Sequence, residues 1–454
     1  MDEVVPKTVA VLGCHMRSFL PTMWAAKRKV KRTDRLALPH GFFTGKKEEI
    51  MKASALICLG VLLVLSVMRA AAQGSLTPSG PPAPTFKTLH QVQPRTPISS
   101  LPYTINSSGS YYLTASLSVG AGTNGITVQA DNVTLDLSGF ALTGSGGTAA
   151  GVIVSSAQKN LAVHNGTVAN WGLGINATNA ANSQFERLRL SNNAGHGLST
   201  GSNCWILACS AQSNGGGINA GAGNLIKDSI ASHNTTNGIV TSHSTIVTDC
   251  VMRGNGRTGI IADFSNIISG CEVNENGLYG IYAESRSVIK NCAVRQNVNN
   301  GISVSNGSLV SDCVSSINAF GFNIGGDSIV TRCVADFNAS SGIRVYGSDS
   351  LVLDNSCMNN GTSATDGAGI VIDAAANRIQ GNNLNSNDRG LVVNVLGNLI
   401  LGNSARGNTT NFVISAGNRY GPIINITPAG SPSVTGNAAV STVASTDPWA
   451  NFAY

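Results

Sequence analysis

From Tyr103 onward the apolar residues arrive in short bursts that alternate with polar residues and end at Gly, Asn or Ser. Alternation with a period of two describes a strand with one face buried, and no stretch keeps the spacing of a helix for long. The bursts repeat. Aligned on an Asn closely followed by Gly and Ile, the chain reads Asn170, Asn193, Asn214, Asn234, Asn255, Asn276, Asn297, Asn318, Asn338, Asn360, Asn387 and Asn408, with steps of 20, 21 or 22 residues from Asn193 to Asn360. One step of 27 residues, to Asn387, marks an insertion around Gly361–Ala368. A Gly follows most of these Asn residues by three or four positions (Gly197, Gly238, Gly259, Gly280, Gly301, Gly342). Five positions before them stand Cys209, Cys250, Cys271, Cys292, Cys313 and Cys333. Earlier in each repeat come an aliphatic column, from Ile226 and Val247 to Ile379 and Ile400, and a polar one, from Asn224 and Thr245 to Asn377 and Asn398.

A repeat of about 21 residues, built of strand formers between Gly/Asn/Ser turns, predicts a solenoid. Stacking each turn on the next at ~4.8 Å pairs both backbone edges of every strand. Identical residues then stack on themselves. An inward Asn suits such a column because its amide can bond to the Asn above and the Asn below. The Gly that follows is expected to supply the positive φ of the bend. The fold class expected is therefore all-β, a single-stranded parallel β-helix over residues 103–415 with about 12–14 turns. Tyr103–Gly144 departs from the columns and is expected to hold the opening strands and cap an otherwise sticky sheet edge. Residues 416–454 lose the ladder and read as a C-terminal tail or cap whose aromatics cover the last rung.

The turns of the form Cys-Val-x-x-x-Asn-x-x-x-Gly-Ile, with Asp131-Asn-Val-Thr-Leu-Asp-Leu-Ser-Gly-Phe140, resemble the right-handed parallel β-helix repeat proteins of the pectin-lyase-like superfamily. The resemblance spans roughly residues 103–415 and implies the right-handed winding. It does not single out an activity, because that superfamily contains lyases, hydrolases, epimerases and adhesins.

Charge changes the picture at the N-terminus. The formal net charge is +6, yet from Gln73 onward the chain holds 17 Lys and Arg against 18 Asp and Glu. The body thus carries no basic bias toward nucleic acid or an anionic membrane. Residues 1–50 read as a wrongly assigned N-terminal extension, since Lys47-Glu48-Glu49-Ile50 is what a purine-rich ribosome-binding site before Met51 would encode. Residues 51–72 read as a signal peptide: Met51-Lys52, an apolar run from Ala53 to Val67, and Ala-Ala-Ala before Gln73. The run is shorter than the ~20 apolar residues of a membrane span, so none is expected in the mature chain. A Pro-rich linker follows over residues 73–102. An exported bacterial protein is expected, secreted, periplasmic or at the cell surface.

Within the body, the eight cysteines after Gln73 invite a disulfide reading. The stacking of Cys250, Cys271, Cys292 and Cys313 in one interior column instead predicts free thiols acting as small hydrophobes, with side chains parallel and not facing one another, and Cys204 and Cys209, within one turn, are no better placed to pair. Gly195-His196-Gly197 looks like the Gly-His-Gly of polygalacturonases, but the Asn-Thr-Asp, Asp-Asp and Arg-Ile-Lys of those enzymes are absent. Gly197 is also the ordinary repeat glycine, and the triplet is expected to be structural. The interrupted column Asp228, Asp249, Asp312, Asp354 is expected to decorate a solvent-facing bend.

The residues that carry chemistry best lie mid-chain. Asp263 and Glu284 each fall eight residues after a ladder Asn and should stack on adjacent rungs. Carboxylates that close favour a shared proton or a cation, making Asp263 and Glu284 candidate acid/base groups or Ca²⁺ ligands. Arg253 and Arg295, at matched offsets two rungs apart, complete the expected catalytic set. Tyr279, Tyr282, Arg286 and Tyr346 are the expected substrate-binding residues, since Tyr rings stack on sugars and Arg forks bind uronate carboxylates. The same residues also fit a solvated face whose opposite charges compensate. Two functions remain at this stage. One is an exported protein that binds or processes an acidic polysaccharide, as a lyase or hydrolase if it is an enzyme. The other is a non-catalytic structural or adhesive surface protein. The sequence leaves the oligomeric state open.

Overall fold

The computed structural model describes residues 94–361, 367–425, 434–435 and 447–454. Every regular element among them is a β-strand, and all strand pairs are parallel, from Thr96–Ile98 to Asn451–Ala453. They wind into a right-handed β-solenoid of about 15 turns. The expected N-terminal extension and signal peptide lie outside the described residues. No helix among the described residues is long and apolar enough to cross a membrane.

The turn Thr245–Asn266 shows the plan. It contains three strands, Ile246–Thr248, Val251–Arg253 and Ile260–Ala262, each paired with the equivalent strand one turn earlier and one turn later. We call the three stacks the first, second and third faces. The third forms its own 16-stranded sheet. The middle residue of each first-face strand points inward, so Ile226, Val247, Ile268, Ile289 and Val310 stack fully buried down the centre. Burial of this column, not local propensity, fixes the register. The residue before it on each first-face strand points outward and is apolar over eight rungs, from Trp205 through Ile246 and Ile267 to Leu351.

Three bends close each turn. At every one, a residue with left-handed backbone immediately precedes an inward-pointing residue: Ser244 before Thr245, Asp249 before Cys250, Gly254 before Asn255. The Asp column is therefore a set of bend residues, Asp228, Asp249, Asp312 and Asp354, all with φ between 51° and 56°. Short polar side chains tolerate that region best among non-glycines. The repeat glycines do something other than expected. Gly280 has no positive φ; a Cβ there would lie 2.3 Å from Val294 Cγ1, 2.6 Å from Gly301 O and 2.8 Å from Asn297 Nδ2. Glycine is required because the ladder amide packs where its side chain would be.

The Asn ladder is continuous. Asn276 Oδ1 accepts from the backbone N–H of Asn255 at 3.1 Å and from its Nδ2 at 2.9 Å, and Asn276 Nδ2 donates to Asn297 Oδ1 at 2.9 Å. Asn170 does not belong to it: the residue is exposed, and the N–H that Asn193 Oδ1 accepts is that of the buried Trp171. A second ladder runs through Asn224, Thr245, Asn266 and Ser287 to Asn377, Asn398 and Asn418. The Cys column is a third, because Cys333 hands over to Asn355, Asn382, Asn403 and Asn451 in the same register. All eight cysteines among the described residues are buried and free. Burial pushes the Cys209 thiol up to about 12, and burial likewise raises Cys357.

Both ends extend further than the repeat pattern indicates. Thr96–Ile98 pairs with Tyr111–Leu113, so the folded body begins inside the stretch expected to be linker, and three third-face strands precede residue 170 without the Asn or Cys columns that made later turns visible. At the other end Ile423–Asn425 and Asn451–Ala453 are strands, the latter seated between Ser404–Arg406 and Ile423–Asn425. The tail thus continues the ladder through Asn451, while Trp449 and Tyr454 stay about half exposed. At the insertion, Gly361 and Gly367 come together, and Ser341 pairs with Ala368, so the register survives.

Candidate functional site

The third face carries one outward-pointing residue per rung at the centre of its strands: Val240, Ile261, Tyr282, Ser303, Asn323, Arg344, Val371 and Val392. Just beyond the strand ends runs a parallel column of Asp263, Glu284, Ser305, Gly325, Tyr346, Asp373 and Asn394, because each of these N–H groups bonds the carbonyl one turn earlier. Two neighbouring columns therefore collect four of the eight expected site residues, Asp263, Tyr282, Glu284 and Tyr346, along one flank.

Asp263 and Glu284 do stack on adjacent rungs and line one depression with Phe264, Ser285 and Arg286. The two carboxyl groups are not hydrogen-bonded to each other. Glu284 is committed elsewhere: Tyr282 Oη donates to its Oε1 at 2.6 Å, and Ser305 Oγ donates to its Oε2 at 3.1 Å. Tyr282 is held by its neighbour Tyr279, stacked with ring centroids 5.7 Å apart. The hydrogen bond to Glu284, then burial, pushes the Tyr282 phenol up to about 12. Tyr346 joins from the same flank, its hydroxyl donating to Val304 O at 3.1 Å, and burial followed by the charge of Glu284 raises its phenol too. Asp263 is exposed and unpaired. Among the described residues no three His, Cys, Asp or Glu side chains gather as metal ligands, so a cation held by Asp263 and Glu284 would draw its remaining ligands from water or substrate.

Arg286 occupies the bend after Glu284, with left-handed backbone, and borders the same depression. Arg253 and Arg295 are not part of this assembly. Both sit at the ends of second-face strands, and Arg253 is engaged by Glu275 through two contacts of 3.1 Å. The equal offset seen in the sequence reflects a shared column on a different sheet. Equal offsets identify a column and leave the direction it faces undetermined.

The structure adds residues the sequence reading passed over. Arg257, Thr258, Ile261 and Leu278 form a recess against Tyr279 and Tyr282. Further along the same face, Phe320, Arg344, Asp373, Arg389 and Asn394 border a second one. The signal was available: Arg344 and Asp373 are the further charged residues in the outward columns that already held Tyr282, Asp263 and Glu284. His196 of the Gly-His-Gly triplet lies at a third-face strand start, with burial depressing its ring, and a Cβ on Gly197 would meet Asn214 Nδ2 at 2.9 Å. That is the structural role expected of it.

A family model described as a right handed beta helix region matches residues 220–329. A search of curated protein sequences found no match. Among solved structures, the chain is similar to the A-module of mannuronan C-5 epimerase AlgE6 from Azotobacter vinelandii, at 16% identity over 65% of this chain and 90% of that one, with a TM-score of 0.45. The AlgE4 A-module of the same organism shares 15% identity over 74% of this chain and 91% of that one, with a TM-score of 0.39. The Dettilon tailspike protein shares 17% identity over 65% of this chain and 61% of that one, also at 0.39.

Proposed function

We propose that this protein acts outside the cytoplasm and binds an acidic polysaccharide lengthwise along its third face. The observation that carries the reading is the Tyr279–Tyr282–Glu284–Ser305 cluster, in which a stacked tyrosine pair is locked by a 2.6 Å phenol–carboxylate bond on an open, continuous flank. Rigid aromatic surface beside fixed hydrogen-bonding groups is what a sugar ring needs, since its C–H face packs on the ring and its hydroxyls meet the polar atoms. Along the recesses of this face Arg257, Arg286 and Arg344 present guanidinium groups, which suit the carboxylates of an anionic polymer. The face also repeats at ~4.8 Å per rung, so successive sugars of a polymer laid lengthwise meet successive rungs.

The half-buried Tyr282 phenol, donating to Glu284, gives the site a group able to deliver a proton to a bound sugar. Screening the purified protein against mannuronan, pectate and a neutral glucan, with and without Ca²⁺, tests both levels. Retention of the acidic polymers alone is the expected result. Unsaturated ultraviolet-absorbing products would identify a lyase, new reducing ends a hydrolase, and retention without either a binding protein. No retention of any acidic polymer, or equal retention of the neutral one, overturns the reading.

A further inference from the structure

The aromatic column beside Asp263 stops one ring short. His243 and Phe264 occupy the same position on adjacent rungs and stack, with ring centroids 5.0 Å apart and planes 12° from parallel. That separation is close to the ~4.8 Å rise between rungs, so the stack runs along the rod. The next residue in the column is Ser285: Ala262 pairs with Ala283, and the bend keeps that register, the Ser265 N–H donating to Ser285 O. Phe264 is half exposed and lines the same depression as Ser285, Asp263, Glu284 and Arg286. We infer that this depression is a slot for one sugar-acid ring, stacked on Phe264 above Ser285, with its carboxylate toward Arg286 and two hydroxyls toward Asp263. The inference rests on the proposed function for the ligand being a uronate; it adds where one such residue is seated and how it is turned.

The slot has the dimensions of a single ring. Asn306 follows Ser285 in the column, two rungs or ~9.6 Å from Phe264, and its Oδ1 accepts from the Gly326 N–H at 2.9 Å. That gap admits one saturated ring at van der Waals contact and not two. His243 backs the far side of Phe264, so the platform is held in place before a ligand arrives. Because the stack runs from rung to rung, a ring that joins it stands up from the flank, as suits the end unit or a branch of a chain.

The two edges of the slot carry opposite charge. Asp263 and Glu284 lie on the strand side, and Arg286 takes the bend on the other. Glu284 already accepts from Tyr282 and Ser305, which leaves the Asp263 carboxylate to receive new donors. Neither Asp263 nor Arg286 enters an ion pair among the described residues. A uronate has the matching polarity, because its carboxylate-bearing carbon lies across the pyranose ring from two vicinal hydroxyls. The guanidinium takes the carboxylate through parallel N–H donors, and the Asp263 oxygens accept from the hydroxyls. A neutral hexose leaves Arg286 without an anion, and a phosphate dianion presses its second charge toward Asp263 and Glu284.

Saturation-transfer NMR on the full chain, titrated with sodium glucuronate or glucose, tests the slot. Glucuronate should bind at least tenfold more tightly than glucose, and Arg286→Gln should remove that preference by deleting one charge-assisted contact. Phe264→Ala should weaken glucuronate about tenfold, whereas Phe264→Tyr should retain it. Ser285→Phe deletes no contact group and fills the slot with a third ring of the stack, so it should abolish binding. Glucuronate bound as tightly by Ser285→Phe as by the natural chain, or no tighter than glucose by the natural chain, would overturn the inference. Retention of an acidic polymer without glucuronate binding would also overturn it and leave the polysaccharide reading standing. Glucuronate bound in the slot without retention of any acidic polymer would do the reverse.

Discussion

Removing one amide from the middle of the Asn ladder should cost more than removing one from its end, by an amount set by how many donors lose an acceptor. Asn276 and Asn255 are 0% and 1% exposed, so neither can turn to water. In Asn276→Ala the backbone N–H of Asn255 loses its acceptor at 3.1 Å, and one N–H of its side chain loses a partner at 2.9 Å. Each buried donor left unsatisfied costs ~1–3 kcal/mol, giving ~2–6 kcal/mol for the pair. Asn193 begins the ladder, and its Oδ1 serves only the N–H of Trp171 at 3.0 Å, so Asn193→Ala should cost about half as much. A solenoid loses stability locally, and a single global transition would blur the difference. Native-state hydrogen exchange resolves it: the Asn255 amide should exchange faster in Asn276→Ala by a larger factor than the Trp171 amide does in Asn193→Ala. Equal factors, or no acceleration at Asn255, would refute the assignment of the ladder as a structural hydrogen-bond chain.

Other consequences follow from the same geometry. Gly280→Ala places a methyl 2.3 Å from Val294 Cγ1 and should destabilise the turn by ~1–3 kcal/mol, seen as a lower urea midpoint; an unchanged midpoint would contradict the packing. Cys292→Ser should cost little, because Ser229 already stands in that column, accepting from Cys209 N–H at 3.2 Å and donating to Lys227 O at 2.9 Å; a severe loss of stability would show that the sulfur volume matters more than the hydrogen bond. Thiol reagents should leave all eight body cysteines unlabelled until the protein is denatured. The Tyr282 phenol, raised to about 12, contributes stability that is fully present below its unfolded value near 10 and is lost as pH rises through about 12. Glu284→Gln should bring that phenol back toward 10, read by tyrosinate absorbance, and an unchanged titration would mean the hydrogen bond does not form.

The winding, the register and the interior columns were legible in the sequence because stacking makes each of them repeat. An Asn whose amide must meet the Asn above and below has no substitute of equal shape, so it recurs every 20 to 22 residues from Asn193 to Asn360 and announces the fold. The misplacements have the same origin. Asn170 matched the letter but not the register, and the true ladder position is the adjacent Trp171, buried and bonded to Asn193. The opening turns before it lack the columns, since Trp171 and Leu142 fill the interior there, with Trp171 Nε1 donating to Leu142 O at 3.1 Å. Glycine was assigned to the bend on conformational grounds. The bends are taken both by glycines such as Gly254 and Gly270 and by residues such as Glu275 and Gln296 with left-handed backbone, whereas the repeat glycine after the ladder Asn accommodates the amide.

The site obeys the opposite logic, which is why only part of it was readable. Inside the solenoid a residue is identified by matching its column; on the outer face it is identified by breaking it. The centre column of the third face is Val240 and Ile261 before Tyr282, and Ser303 and Asn323 before Arg344, so the two departures toward aromatic and cationic chemistry stand out only once the face is known. Sequence offsets cannot supply the face. Arg253 and Arg295 share a column as faithfully as Asp263 and Glu284 do, but theirs belongs to the second face, turned away from the tyrosines by the bend at Gly254 and the ladder Asn255. An exchange of roles therefore gives the sharpest test of the assignment: Arg295→Gln should leave retention of an acidic polymer unchanged, whereas Arg344→Gln should weaken it, and the reverse ranking would return the site to the second face.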